Sequence, residues 1–197
     1  MKKILTFATF LVITFLSVGK VHSIEADVFI QSVVNRAAKT LGGNLTKDER
    51  IEKLKDIARE TVDIDGIGRY TLGSYKNDIT DNQITEYKVL FRQYFLKTFA
   101  SRLAEYSNPE IEVISKKKLN ESYTMVSSIL VATEQRPEVK IDWRVSTKDP
   151  DNLLIMNLVI EGLSLARTQK EEFSSIIEGN DRDINALFAT LKQFIKQ

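Results

Sequence analysis

Along residues 25–41 the apolar positions return every three or four residues. Val28, Phe29, Val33, Ala37 and Leu41 fall near one face, which predicts an amphipathic helix ended by Gly42 and Gly43. Thr46 and Glu49 have the spacing of a capping box and open a second helix with the stripe Ile51, Leu54, Ile57 and Ala58. Residues 63–75, DIDGIGRYTLGSY, carry glycines at 66, 68 and 73 and predict an irregular stretch of short helical turns. Thr80 and Gln83 then cap a long helix. Its apolar positions are Ile84, Tyr87, Leu90, Phe91, Tyr94, Phe95, Phe99, Leu103 and Tyr106, and Ser107, Asn108 and Pro109 stop it.

Past that stop the period drops to two. Ile111 and Val113 mark a short strand, residues 122–133 alternate, and Val139, Ile141, Trp143 and Val145 alternate with Lys140, Asp142, Arg144 and Ser146. Asp149, Pro150, Asp151 and Asn152 form a turn. Residues 153–160, LLIMNLVI, are apolar on both faces apart from Asn157 and predict a central strand covered on both sides. Helical spacing returns over 167–177 and again over 181–195. Helices, then a meander, then helices is the layout of an α+β fold with a twisted antiparallel sheet. The expected division is 24–108 mainly helical, 109–166 antiparallel sheet and 167–197 C-terminal helices, together one domain.

The N-terminus changes the compartment. Lys2 and Lys3 precede the apolar run 4–18, and Val21 and Ser23 are placed as the small pair before a cleavage point. This is the layout of a secretory signal peptide over 1–23, and the run is shorter than the roughly 20 residues of a membrane-spanning helix. Its removal takes away three lysines and no acid, so the formal charge goes from +1 to −2. That balance argues against nucleic acid or a broadly anionic surface as partner. The sequence has no cysteine, and its one histidine, His22, lies in the leader. The exported chain therefore cannot build a Ser-His-Asp or Cys-His nucleophile or a Cys/His zinc site, and it has no disulfide.

The candidate chemistry is then mostly apolar. The aromatic band of the long helix reads either as a core stripe over the sheet or as a wall shared by a core and a cavity. A cavity wall of this kind suits acyl chains, whose burial is worth roughly 0.8 kcal/mol per methylene. Glu161 reads as a strand-end carboxylate paired with Arg167 or Arg144, as part of a polar rim, or as a general base lacking an evident second group. Arg69, Tyr70, Gly73 and Tyr75 form either a packed connection or a place where Arg and Tyr reach a polar headgroup. Lys116, Lys117 and Lys118 read as a solvated turn or as a docking patch for an acidic surface.

Four stretches in order carry a resemblance: DIDGIGRYTLGSY, TEYKVLFRQYFLKTFASRLAEYS, VIEGLSLARTQKEEFSSII and DINALFATLK. Behind a signal peptide, the chain resembles the toluene-tolerance (MlaC) family of periplasmic phospholipid carriers. The resemblance implies a nuclear-transport-factor-like cone, a sheet and helical part enclosing a hydrophobic pocket for phospholipid tails, with 24–197 as a single lipid-binding domain. It implies no enzyme activity and no cofactor, with diacyl phospholipid as cargo. Its partners are expected to be an inner-membrane ABC transporter complex with its substrate-binding component and an outer-membrane lipoprotein complex. Carried onto this chain, the lipid-binding residues are Tyr70, Leu72, Phe91, Tyr94, Phe95, Phe99, Trp143, Met156, Leu158, Gly162 and Leu165, with Arg69, Arg144 and Arg167 near the headgroup. A chaperone or scaffold subunit, or an enzyme on the same fold, are the alternative readings.

Overall fold

The computed structural model describes residues 24–106 and 109–197. The expected leader and the stop residues Ser107 and Asn108 lie outside the described residues. Among the described residues six α-helices and five strands follow one another: α1 (Ala26–Gly42), α2 (Lys47–Thr61), α3 (Ile64–Thr71), α4 (Asp81–Leu103), β1 (Ile111–Asn120), β2 (Tyr123–Leu130), β3 (Val139–Ser146), β4 (Leu154–Ile160), β5 (Leu163–Ser164), α5 (Leu165–Glu178) and α6 (Ile184–Lys196). A short 3-10 helix over Gly73–Asn77 links α3 to α4. Both capping boxes form, at Thr46 with Glu49 and at Thr80 with Gln83, so two of the four orphan N–H groups of each helix start are dealt with locally.

The stretch 63–75 is more regular than its glycines suggest. The Asp63 carboxylate accepts the Gly66 N–H at 2.9 Å and starts α3 as a true α-helix. Gly68 does not break that helix but lets it approach α4. A Cβ there would stand 2.7 Å from Cδ1 of Phe91. Lys116, Lys117 and Lys118 likewise belong to a ten-residue strand and not to a turn, because β2 pairs with all three.

Every strand pairs antiparallel with its chain neighbours, in the order β1-β2-β3-β4-β5. Paired residues share a face, so Val126, Trp143 and Leu158 form one row and Ser128, Ile141 and Ile160 another. This face is buried over β2 and β3 and joins residues of α1 through α6 in one core. The opposite face carries Lys117, Met125, Arg144 and Asn157 in a single cross-strand row.

The expected cone with an enclosed pocket is corrected by this topology. The sheet is α+β in setting and antiparallel, but it is open: β1 and β5 are its two separate edges, and it does not curl into a closed wall. Local groups occupy both edges in place of a closing strand. Gln31 of α1 receives the Val113 N–H at 3.2 Å and donates to the Ile111 carbonyl at 3.3 Å, imitating a strand neighbour. At the other side, where the two-residue β5 leaves the start of β4 uncovered, Val62 bridges Ile155 and the Asp63 N–H donates to the Ile155 carbonyl at 3.0 Å. β4 is thus next to the edge, not central, and its two-sided apolarity answers to α3 and α5 packed against it.

Candidate functional site

The joint at 159–166 shows how the elements meet. Glu161 (φ 49°) and Gly162 (φ 80°) form a two-residue left-handed turn that folds β5 back on β4. Ser164 then caps α5 by accepting the Arg167 N–H at 3.3 Å. Asn157 binds both sides of this start, donating to Ser164 Oγ at 2.9 Å and accepting the Ala166 N–H at 3.1 Å. The Glu161 carboxylate accepts the Lys140 backbone N–H. It is a strand-end group, but its partner is neither Arg144 nor Arg167.

The aromatic residues of α4 are brought together as a ladder. Phe91 lies 6.4 Å from Tyr94 and 6.0 Å from Phe95 between ring centroids, and Phe95 stacks on Phe99 at 5.5 Å. Phe91 is buried against α3 and α5, with Leu72 also in the core. Tyr94 is half-buried, and its hydroxyl donates to Gln169 Oε1 at 2.9 Å. Phe95 and Phe99 are half-buried and, among the described residues, have no aromatic partner beyond the ladder. Trp143 is buried, and its indole N–H donates to Ser128 Oγ at 2.8 Å. Leu158 opposite it is half-buried, as is Met156 at the irregularity between β3 and β4.

The remaining predicted residues are dispersed. Tyr70 is exposed, with the Lys170 ammonium 5.6 Å from its ring centre. Gly162 and Leu165 lie on the exposed tip between β4 and α5. The three arginines do not converge. Arg167 pairs with Glu171 at 3.0 Å and shares a depression of about 470 Å³ with Tyr70. Arg69 lines a different depression of about 320 Å³. Arg144 stands on the sheet face away from Trp143, its guanidinium 4.7 Å from the Tyr123 ring centre.

Other residues join this set that the sequence reading did not assign to the lipid-binding site. Val139 and Ile160 are half-buried on the core-side face of the sheet, beside Leu158. Phe173, Phe188 and Phe194 supply the rings that meet α4 from α5 and α6. Their helical stripes are visible in the sequence, but which aromatic meets which across 80 or more intervening residues is not.

Two phenols report the polarity of this interior. Burial pushes the Tyr87 hydroxyl well up from its ordinary value, only partly offset by its hydrogen bond to Thr71. Burial first, and the Glu172 carboxylate second, push Tyr94 up as well. Among the described residues, no three His, Cys, Asp or Glu side chains stand close enough to hold a metal ion.

An open antiparallel sheet, a helical layer sharing its core, and apolar side chains left half-covered along one helix and one strand define an α+β protein whose chemistry is that of an apolar surface. Comparison places it further. The profile described as MlaC protein matches residues 30–193, and the chain belongs to this family. Among solved structures it is similar to the phospholipid-binding protein from Ralstonia solanacearum in complex with a phospholipid. The two share 19% identity over 88% of this chain and 98% of that one, with a TM-score of 0.74. At that identity the likeness speaks for the fold. No curated relative matches the chain.

Proposed function

We infer that the protein is a periplasmic phospholipid carrier, which transports lipid and catalyses no reaction on it. The match to the family over residues 30–193 carries this reading. The leader-like segment at 1–23 supports export, and the phospholipid held by the Ralstonia solanacearum protein supports the cargo. The physical basis is incompletely covered apolar surface. Phe95 and Phe99 on α4, and Val139, Leu158 and Ile160 on the sheet, pack on the core yet stay half-buried. Acyl chains laid against such side chains gain roughly 0.8 kcal/mol per methylene without any specific polar contact. A long chain therefore binds tightly through an open apolar surface.

The carrier works between the two membranes. Its proposed termini are an inner-membrane ABC transporter complex, met through the substrate-binding component, and an outer-membrane lipoprotein complex. Gentle extraction from the native periplasm followed by lipid mass spectrometry tests the reading. Stoichiometric diacyl phospholipid is expected. Protein that is consistently empty, from cells whose envelope lipids are otherwise normal, overturns it.

A further inference from the structure

Three of the depressions on the described surface differ in charge. Between α3 and α5, Arg167 and Lys170 share the wall with Glu171 and Glu178, and Arg167 is already paired with Glu171. Between α1 and β1, a depression of about 510 Å³ is lined by Glu110 and Glu112 and by no lysine or arginine. The third, of about 320 Å³, is lined by Arg69, Lys76 and Lys88. The one carboxylate in its wall, Asp65, is held by Arg92 at 2.6 Å. Among the described residues, none of the three cations has a carboxylate within 4.0 Å.

These cations come from three different elements: Arg69 from α3, Lys76 from the 3-10 helix and Lys88 from α4. They are therefore not the solvated stripe of one helix. Only one carboxylate, Asp65, shares the wall with these three cations, and Arg92 already holds it, so positive charge is in excess there. The Thr71 and Tyr87 hydroxyls behind them add no negative charge. Thr71 spends its hydroxyl proton on the Gly68 carbonyl at 2.8 Å, so in the 2.8 Å contact between the two hydroxyls Tyr87 is the donor. Burial keeps that phenol protonated. Leu72 and Ile84 complete an apolar side to the same depression.

We propose that this depression is a binding site for a phosphate-class anion, a phosphate or its ester, gripped by Arg69 with Lys76 and Lys88 as flanking charges. Arg offers a planar fork that matches phosphate oxygens, and Lys supplies a mobile point charge. The apolar side, with Leu72 and Ile84, suits an ester with a short organic substituent better than a bare ion. The source is either a phospholipid headgroup or a soluble phosphate. The site stands on its own geometry, whether or not acyl chains occupy the apolar surface of α4 and β4.

The test is an amide-resolved NMR titration of the full chain with inorganic phosphate and with glycerophosphoethanolamine, a phosphodiester without acyl chains. Shifts are expected along 69–77 and 84–88, weakening as salt is added. The exposed double variant K76E/K88E should bind at least tenfold more weakly while keeping the wild-type circular dichroism. The variant K53E/K148E, with the same change of net charge elsewhere, should bind as wild type. Tighter glycerophosphoethanolamine identifies the headgroup as the source, and tighter inorganic phosphate identifies a soluble phosphate. No shifts in this region, or equal loss in both double variants, overturns the proposal. Protein found empty of lipid that still titrates here refutes the carrier reading and leaves this site standing.

Discussion

The first half of α4 buries Tyr87 and Phe91 to 1% and 2% exposure, whereas the second half leaves Phe95 and Phe99 half-buried. All four are aromatic and the four-residue spacing is the same. What differs is the cover supplied by α5 and α6. Phe173 meets Tyr87 and Phe91 edge-on at 6.4 and 6.2 Å, and Phe188 stacks on Tyr87 at 6.4 Å. Phe194 reaches Tyr94 at 5.0 Å, and the Lys97 ammonium donates to the Phe194 and Ile195 carbonyls of α6. Among the described residues, Phe95 and Phe99 meet no ring of α5 or α6. One helix thus serves as core along its first turns, while along its last turns Leu96 and Ala100 are buried on one face and Phe95 and Phe99 stay half-covered on another.

This contrast is broken most directly at Phe91. Phe91→Ala removes a ring packed on Tyr87, Phe173 and the bare backbone of Gly68, and it should cost about 3–5 kcal/mol of stability in urea unfolding. Gly68→Ala attacks the same contact from the other side. Its added methyl must displace the ring, at about 1–3 kcal/mol. If both variants unfold at the wild-type midpoint, the first half of α4 is not the core it is taken for.

The double variant Phe95→Ala with Phe99→Ala reverses the balance. These rings are partly exposed, so each should cost only about 1 kcal/mol in stability. The larger effect should fall on cargo, with the phospholipid recovered per protein reduced several-fold in mass spectrometry. A variant that keeps its full lipid content places the acyl chains elsewhere and leaves the two halves of α4 functionally alike.

The sequence made some of this legible and hid the rest, for identifiable reasons. Thr46 with Glu49 and Thr80 with Gln83 were readable because a capping box is a local interaction within four residues. The alternation through Val139, Ile141, Trp143 and Val145 was readable because one face of β3 is buried. Gly68 was not, since its role is to admit Phe91 from 23 positions away. Nor was the openness of the sheet. A two-sided apolar strand such as β4 looks the same whether its neighbours are strands or helices, and here α3 and α5 supply the cover. The split of the aromatic ladder was equally hidden, because it depends on which rings of α4 the aromatics of α5 and α6 meet. The candidate arginines illustrate the same limit: Arg144 and Trp143 are adjacent in sequence and therefore point to opposite faces of the sheet.

The subtlest probe of the two halves of α4 is alkaline titration of Tyr87 and Tyr94. Both phenols are pushed above the ordinary value of 10.0, so folding favours their neutral forms. A raised folded value means that the stabilising contribution is complete below that ordinary value and is lost as pH rises through the folded one. Stability should accordingly be flat with respect to these groups up to about pH 10 and decline above it. The two should part company in how they ionise. Tyr94, half-buried and bonded to Gln169, should form phenolate reversibly in the folded protein. Tyr87, enclosed by Phe91, Phe173 and Phe188, should do so only in step with the loss of far-ultraviolet circular dichroism. Phenolate absorbance compared between wild type, Tyr94→Phe and Tyr87→Phe resolves the two. Were Tyr87 to ionise while the helices remain intact, water would be reaching the first half of α4, and the cover provided by α5 and α6 could not be what separates it from the second.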